Sequence, residues 1–391
     1  EVYVPLRIAC RPRDGLGSRE TNADIVALEA VFTAAGAGNP VLILGEPGAG
    51  KTTALRKLLH VCLRDDGPEN LRLAYDTVPV FLRLRRITAE LLRDRDPLAR
   101  LVERELSDLW DGNPPEGFAA QLWARGRLLL LCDGLDEIAD GEVRVQTAAF
   151  LNHEIVVRQR QGIRAVVSCR RAAYDGGTAK FGDPFLHLDV RPLDDGQMAD
   201  LIHGWFRQAF LSLGRGGPAE AVTAADRLVA DLKSASYGAQ QVKVLVATPL
   251  MLTLLCLVVL RGGIIPQRRV DFYAACLEVL LQRWDAAKDK DIPPLLDLTN
   301  ALVVLRPLAW HLHRAGRRDD LSDLEAVNLI EERLPGQDGF AVLDWLHHRA
   351  GVLAETGPRR YGFMHLGFQE YLAAGHVAAN RGSLVKELAG L

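Results

Sequence analysis

The sequence predicts an α/β domain with an open parallel sheet, followed by a helical domain and then a winged-helix domain. Three observations lead there. Between residues 39 and 192, short apolar runs alternate with helix-length segments, the order that right-handed βαβ crossovers produce. From Leu193 onward apolar residues recur at helical spacing with no convincing strand until near the end. There two strand-like pieces flank Thr356-Gly357-Pro358 after a set of helices, which makes a small hairpin behind a helical bundle.

In chain order, residues 1–38 read as an N-terminal linker with a lead helix: an apolar start over 2–8, a polar stretch, then a helix pattern around 24–35. Residues 40–44 form a buried strand. The helix expected over 50–64 presents Leu55, Leu58, Leu59 and Cys62 at three- and four-residue spacing, so it packs on a sheet. A second strand spans 78–84, and helical segments follow as far as Arg125, broken at Asn113-Pro114-Pro115. Residues 128–132 are a continuous apolar run without alternation, as a central parallel strand covered on both faces requires. A helix over 143–161 and strands over 164–168 and 185–190 complete the first domain, 39–192. Helices over 195–213, 219–236 and 240–260 make the helical domain, 193–265. After the loop 261–266, helices over 269–288, 295–315, 323–333 and 340–349 precede strands over 352–355 and 361–364, and together they give the winged-helix domain, 266–380. Residues 381–391 read as the start of a further C-terminal region, and with Glu1 in place of methionine the chain is expected to be a central piece of a longer protein.

Composition narrows the function classes. Lys and Arg total 47 against 50 Asp and Glu, for a net charge of −3, and the arginines are scattered among acids rather than gathered in a block. No dedicated nucleic-acid surface is evident. The six cysteines show no C-x-x-C spacing and mostly lie in apolar runs, as reduced thiols in a cytosolic protein do. The most apolar stretch, 245–260, carries Thr248, Pro249 and Thr253 and is shorter than the roughly 20 residues needed to cross a bilayer, so a buried helix is expected and no membrane partner.

The chemistry concentrates in Gly45-Glu46-Pro47-Gly48-Ala49-Gly50-Lys51-Thr52-Thr53, which fits the phosphate-loop pattern G-x-x-x-x-G-K-[ST] at every fixed position. Its glycines free the backbone to turn consecutive amides inward around phosphate oxygens, and the helix that follows adds its positive end. Lys51 is placed to reach the terminal phosphates, and the Thr52 hydroxyl to join a magnesium shell. Asp133 ends the third strand, where ligands bind in open α/β sheets, and can hold that magnesium against Thr52. Of the acids behind it, Asp136 and Glu137, one would polarise the attacking water, and Glu137 is the choice. The plainer alternative is an acidic turn that caps a helix. Arg170 and Arg171 follow the fourth strand at the same sheet edge. A guanidinium there can read a γ-phosphate, although on spacing alone two exposed surface arginines are the more ordinary reading. The pairs His311/His313 and His347/His348 lack a completing cysteine or acid and are taken as ordinary helix residues.

The set formed by the phosphate loop, by Leu128-Leu129-Leu130-Leu131-Cys132-Asp133-Gly134-Leu135-Asp136-Glu137 and by Val166-Val167-Ser168-Cys169-Arg170 resembles the NACHT NTPases of the STAND class, a P-loop NTPase family. The small residue after the first aspartate, with two more acids behind it, is the most particular part of the match. Residues 248–256, Thr248-Pro249-Leu250-Met251-Leu252-Thr253-Leu254-Leu255-Cys256, resemble that family's helical-domain motif, and the resemblance implies that Pro249 sits against adenine. Residues 363–374, starting Phe363-Met364-His365, resemble its winged-helix motif and imply that His365 contacts the diphosphate of the resting state. The chain departs from the family at Cys169-Arg170-Arg171, where relatives carry a small polar residue, arginine and proline.

The resemblance implies an ATP/ADP-operated switch with magnesium as cofactor. Such a protein hydrolyses ATP slowly, is held closed by ADP, and opens to self-associate. The resemblance further implies effector and sensor domains outside this chain and, in bacteria, a role in immune or anti-phage defence. Two rival readings share the same motifs: a ring-forming motor ATPase, and a nucleic-acid-binding regulator that uses the winged helix. The expected recognition helix of the latter has no basic stripe.

Overall fold

Successive residues of a strand face opposite ways, and in the central strands of this chain both faces are apolar and covered. The computed structural model describes residues 3–10, 26–27, 39–64, 67–107, 115–138, 140–158, 162–214, 216–234, 237–262, 264–283, 295–314, 320–357 and 359–380. The chain divides into two compact units, Pro5–Pro192, and Glu1–Val4 with Leu193–Leu391.

The first unit holds a seven-stranded sheet: β1 (Arg7–Cys10), β2 (Val26–Ala27), β3 (Val41–Gly45), β4 (Val78–Arg83), β5 (Leu128–Asp133), β6 (Arg164–Arg170) and β7 (Leu186–Val190), in the spatial order β2-β1-β7-β3-β6-β5-β4. Strands β3 to β7 pair in parallel, while β1 pairs antiparallel with both β7 and β2. The alternation is clean. Leu129, Leu131, Val41 and Ile43 pack with Leu55 and Leu58 of the Lys51–Cys62 helix, whereas Leu128, Leu130, Cys132, Leu42 and Leu44 join the cluster on the other face with Leu98, Leu101 and Trp123. Every residue of β3 and β5 is buried, so their unbroken apolar runs satisfy two faces at once.

The expected helices 143–161 and 50–64 appear as Gly141–Arg158 and Lys51–Cys62. The N-terminal stretch differs from expectation. Arg7–Cys10, expected within a linker, is an antiparallel edge strand on β7, because Ile8 and its neighbours complete the apolar face beside Leu188 and Val190. Val26–Ala27, at the start of the expected lead helix, pairs with β1 instead; the rest of 24–35 lies outside the described residues. The break at Asn113-Pro114 lies outside them too.

The second unit packs its helices around one apolar core. The Asp195–Leu213 helix lies against Pro218–Lys233 and Pro249–Leu260, and Leu298–Arg314 runs along Leu366–Ala379. The single helix expected over 240–260 is two, Tyr237–Leu245 and Pro249–Leu260. Thr248 is the N-cap of the second and Pro249 its first residue, and a proline there has no amide to continue the preceding helix. The helices expected over 269–288 and 340–349 turn π-helical at Val279–Arg283 and Trp345–Arg349. Strands β9 (Leu353–Gly357) and β10 (Arg360–Phe363) form the expected hairpin, and β8 (Leu321–Ser322), not expected, adds to β10 in the order β8-β10-β9. Arg360 on β10 pairs with Asp320 at 2.6 Å beside it. The five described cysteines with placed side chains, Cys62, Cys132, Cys169, Cys256 and Cys276, are free and buried, and burial pushes the Cys132 thiol up to about 12. No described helix is long and apolar enough to cross a membrane.

Candidate functional site at the C-terminal edge of the sheet

Strand β3 ends at Gly45 and the chain turns through Glu46–Gly50 into the Lys51–Cys62 helix. Two features force glycine here. Gly48 and Gly50 have φ of 72° and 89°, in the left-handed region where a Cβ is costly. At Gly45 a Cβ would stand 3.1 Å from that of Val190 and 3.5 Å from that of Ala49, so the loop closes against β7. Glu46 and Thr53 are exposed, Pro47 is half-buried and Ala49 is buried beneath the turn. Lys51 Nζ donates to the carbonyls of Gly45 (2.8 Å) and Glu46 (3.1 Å), which arches the side chain over the loop. Burial holds its pKa below the ordinary lysine value, and Asp136 and Asp133 act in the opposite direction.

Parallel pairing carries the ends of β3, β6 and β5 to one edge: Gly45 is in register with Arg170, and Cys132 with Val167. Thr52 Oγ1 thus donates to Asp133 Oδ1 at 3.1 Å across 81 residues of sequence. Asp133 is buried at 8% exposure, and its Oδ1 also accepts the Ser168 hydroxyl at 2.7 Å. Ser168 Oγ in turn accepts the Gly134 amide at 2.8 Å. Gly134 has φ of 76° and opens the turn Leu135–Glu137, so that a Cβ on it would meet Glu137 Cδ at 2.6 Å. Glu137 therefore folds back over its own turn. Burial, followed by the charges of Asp133 and Asp136, raises its carboxyl to about 7, against the opposing pull of Arg85 and Arg170.

Asp136 is engaged. Its Oδ1 accepts the Arg170 backbone amide at 2.8 Å and its Oδ2 pairs with Arg170 Nε at 3.0 Å. Arg171 pairs with Asp189 on β7 at 3.2 Å and lies 4.0 Å from Glu46. Both arginines are half-buried with acidic partners, not exposed surface residues. Arg144 adds a clamp by donating from Nε and Nη2 to the Ile138 carbonyl behind the acidic turn, at 3.0 and 2.6 Å.

The sequence motif that contains Ser168 assigns it no role, and no motif includes Asp189 or Arg144. A hydroxyl inside the apolar run of β6 was the available signal for Ser168, because a buried hydroxyl needs partners. Pro249 and His365 belong to the second unit. Pro249 is the first residue of its helix, half-buried, and His365 is the N-cap of Leu366–Ala379, where its Nδ1 accepts the Gly367 amide at 3.0 Å. An accepting Nδ1 leaves the imidazole proton on Nε2.

Among the described residues no group of three or more His, Cys, Asp or Glu could hold a metal on its own. A hydroxyl beside one buried carboxylate is instead the donor set that magnesium uses together with phosphate and water. No backbone or side-chain donor among the described residues takes Asp133 Oδ2, so the residues present fit that ion.

The match to known proteins runs through this region. The model of the NACHT domain matches residues 39–209. The comparison with curated proteins gave no match. Among solved structures, the chain is similar to a Walker-type ATPase of Pyrococcus abyssi (11% identity, 85% of this chain and 90% of that one, TM-score 0.32). It is also similar to Drosophila ORC bound to DNA (13%, 87% and 90%, TM-score 0.31) and to RuvB of Thermotoga maritima (14%, 83% and 84%, TM-score 0.29). Likenesses this loose carry no inference about function. The family model does, and the match of residues 39–209 to the NACHT domain supports a nucleotide-binding NTPase.

Proposed function

We propose that the chain is an ATP/ADP-operated switch: it binds adenine nucleotide with magnesium, hydrolyses ATP slowly, and couples the bound state to self-association. The observation that carries this reading is the approach of Thr52 to Asp133 at the mouth of the phosphate loop, with Glu137 and Arg170 at the same sheet edge. The amides of Gly48–Thr52 would surround the phosphates and Lys51 would exchange its loop carbonyls for phosphate oxygens. Thr52 and Asp133 would hold magnesium, which when bound neutralises charge on the β- and γ-phosphates.

Glu137 is the better candidate for the base. Its raised carboxyl takes a proton near neutral pH, whereas both oxygens of Asp136 are committed to Arg170. Asp136 then holds Arg170 in place to read the γ-phosphate. In the second unit, we assign 193–265 as the helical domain and 266–380 as the winged-helix domain, with Pro249 against adenine and His365 Nε2–H donating to the β-phosphate of bound ADP. Two features support that assignment: each residue opens a helix, and the β8-β10-β9 sheet follows the helices as a wing does. Effector and sensor domains, and a role in immune or anti-phage defence, belong to the same reading.

Denaturing the purified protein and identifying the released nucleotide tests it. ADP is expected; a guanine nucleotide, or none, counts against the switch. The rival motor ATPase would turn over many ATP per minute when given its substrate, and the switch would not.

A further inference from the structure

The hydroxyl of Ser168 is 1% exposed and stands between two groups that the proposed chemistry needs. It has one proton to give, and gives it to Asp133 Oδ1 at 2.7 Å. It accepts one, from the Gly134 amide at 2.8 Å. Since Thr52 Oγ1 also donates to Oδ1, both protein hydroxyls crowd one oxygen of the carboxylate, and Oδ2 is left for another ligand. Two hydrogen bonds to Oδ1 also fix the carboxyl plane. Through Gly134, the same hydroxyl anchors the left-handed residue that starts the Leu135–Glu137 turn.

From this geometry we infer that Ser168 is a positioning residue for the magnesium carboxylate: it occupies Asp133 Oδ1 so that Oδ2 faces the cation. Its one hydrogen is committed to Asp133, so it is not a donor to phosphate or to the attacking water. Residues that orient a metal ligand in this way characteristically change metal affinity by about 10- to 100-fold when removed. Nucleotide contacts made by the loop amides and Lys51 do not involve this hydroxyl. Its loss therefore separates metal binding from nucleotide binding. The inference rests on the magnesium-nucleotide reading above.

The test is a magnesium titration of fluorescent N-methylanthraniloyl-ADP binding to the whole chain, with a parallel measurement in EDTA. For Ser168→Ala, the magnesium concentration at half-effect should rise about 10- to 100-fold, while affinity in EDTA stays within about twofold of wild type. Ser168→Thr, which keeps the hydroxyl, should return the midpoint toward wild type. An unchanged midpoint in Ser168→Ala overturns the inference. So does an equal loss of affinity with and without magnesium, the mark of a merely structural serine. If wild-type binding ignores magnesium altogether, the underlying reading falls and takes the inference with it. If Ser168→Thr fails to fold, the alanine variant and its EDTA arm still decide.

Discussion

Lys51 and Glu137 make opposite demands on burial. A cation over a loop of amides is stabilised by the phosphate it meets, and each charge-assisted hydrogen bond lost costs about 1.5–3 kcal/mol. Lys51→Ala should therefore weaken ATP binding at least about tenfold by calorimetry; undiminished affinity would remove this loop as the site. Glu137 is instead a carboxyl whose proton is retained to about 7, chiefly because of burial. A base must be ionised, so single-turnover hydrolysis should rise with pH through roughly that value, where an unshifted carboxylate would give a flat profile. Bound magnesium, a nearby positive charge, moves that limb to lower pH. The stability effect has the opposite sense. A carboxyl raised in the fold stabilises it below its ordinary value of 4.5, and that contribution is lost as the pH climbs through about 7. Glu137→Gln should abolish the hydrolysis limb, slow turnover by about 100- to 10,000-fold and leave ATP bound. Unchanged hydrolysis would move the base elsewhere. At this scale the loop and the strand-end acids were legible because their order along the chain is their order around the site. Ser168 and Asp189 were not, because a lone polar residue in a strand does not say which carboxylate or guanidinium the register brings to it.

Helix starts carry the second unit's predictions. His365 caps Leu366–Ala379 by accepting from the Gly367 amide, so His365→Ala removes a cap worth about 1 kcal/mol as well as the proposed diphosphate donor. Asparagine is among the best caps but has no imidazole. His365→Asn should thus keep the wild-type melting temperature and still release ADP about 10- to 100-fold faster, from the loss of a charge-assisted contact. Equal off-rates in stopped-flow would leave His365 as a cap alone. Two residues further on, a Cβ on Gly367 would collide with the hydroxyl of Tyr273, whose ring packs against Phe368 at 5.3 Å and stacks on Tyr371 at 5.9 Å. Gly367→Ala should cost about 1–3 kcal/mol of stability in denaturant titrations, and a smaller effect would mean Tyr273 swings away freely. Strands β3 to β6 were readable from their largely apolar runs, and β7 from the alternation of Leu186, Leu188 and Val190 with polar residues. Residues 7–10 and 26–27 were not, since an antiparallel edge of a few residues leaves no pattern to count. The kink at Thr248-Pro249 was hidden by apolar residues on both sides, which suit one helix as well as two.

For the whole molecule, the switch reading makes self-association a consequence of bound ATP. Glu137→Gln, holding ATP and magnesium, should sediment as a larger species than the ADP-bound wild type in analytical ultracentrifugation, and identical profiles would speak against coupling. The sheet limits how such an assembly can form. Val78 N–H points inward to the Arg127 carbonyl, so by the strand period the positions of Pro79, Phe81 and Arg83 point outward along the free edge of β4. Pro79 has no amide hydrogen, and the Arg83 amide is within 3.4 Å of Glu105 Oε1, a carboxylate that also pairs with the Arg83 guanidinium. Phe81 keeps its amide, and its ring lies beneath Arg56. A second chain docking as an added strand would find this margin poor in donors, with the Phe81 amide as its one uncommitted N–H among these three, so fibre-like growth by strand addition is disfavoured at this border.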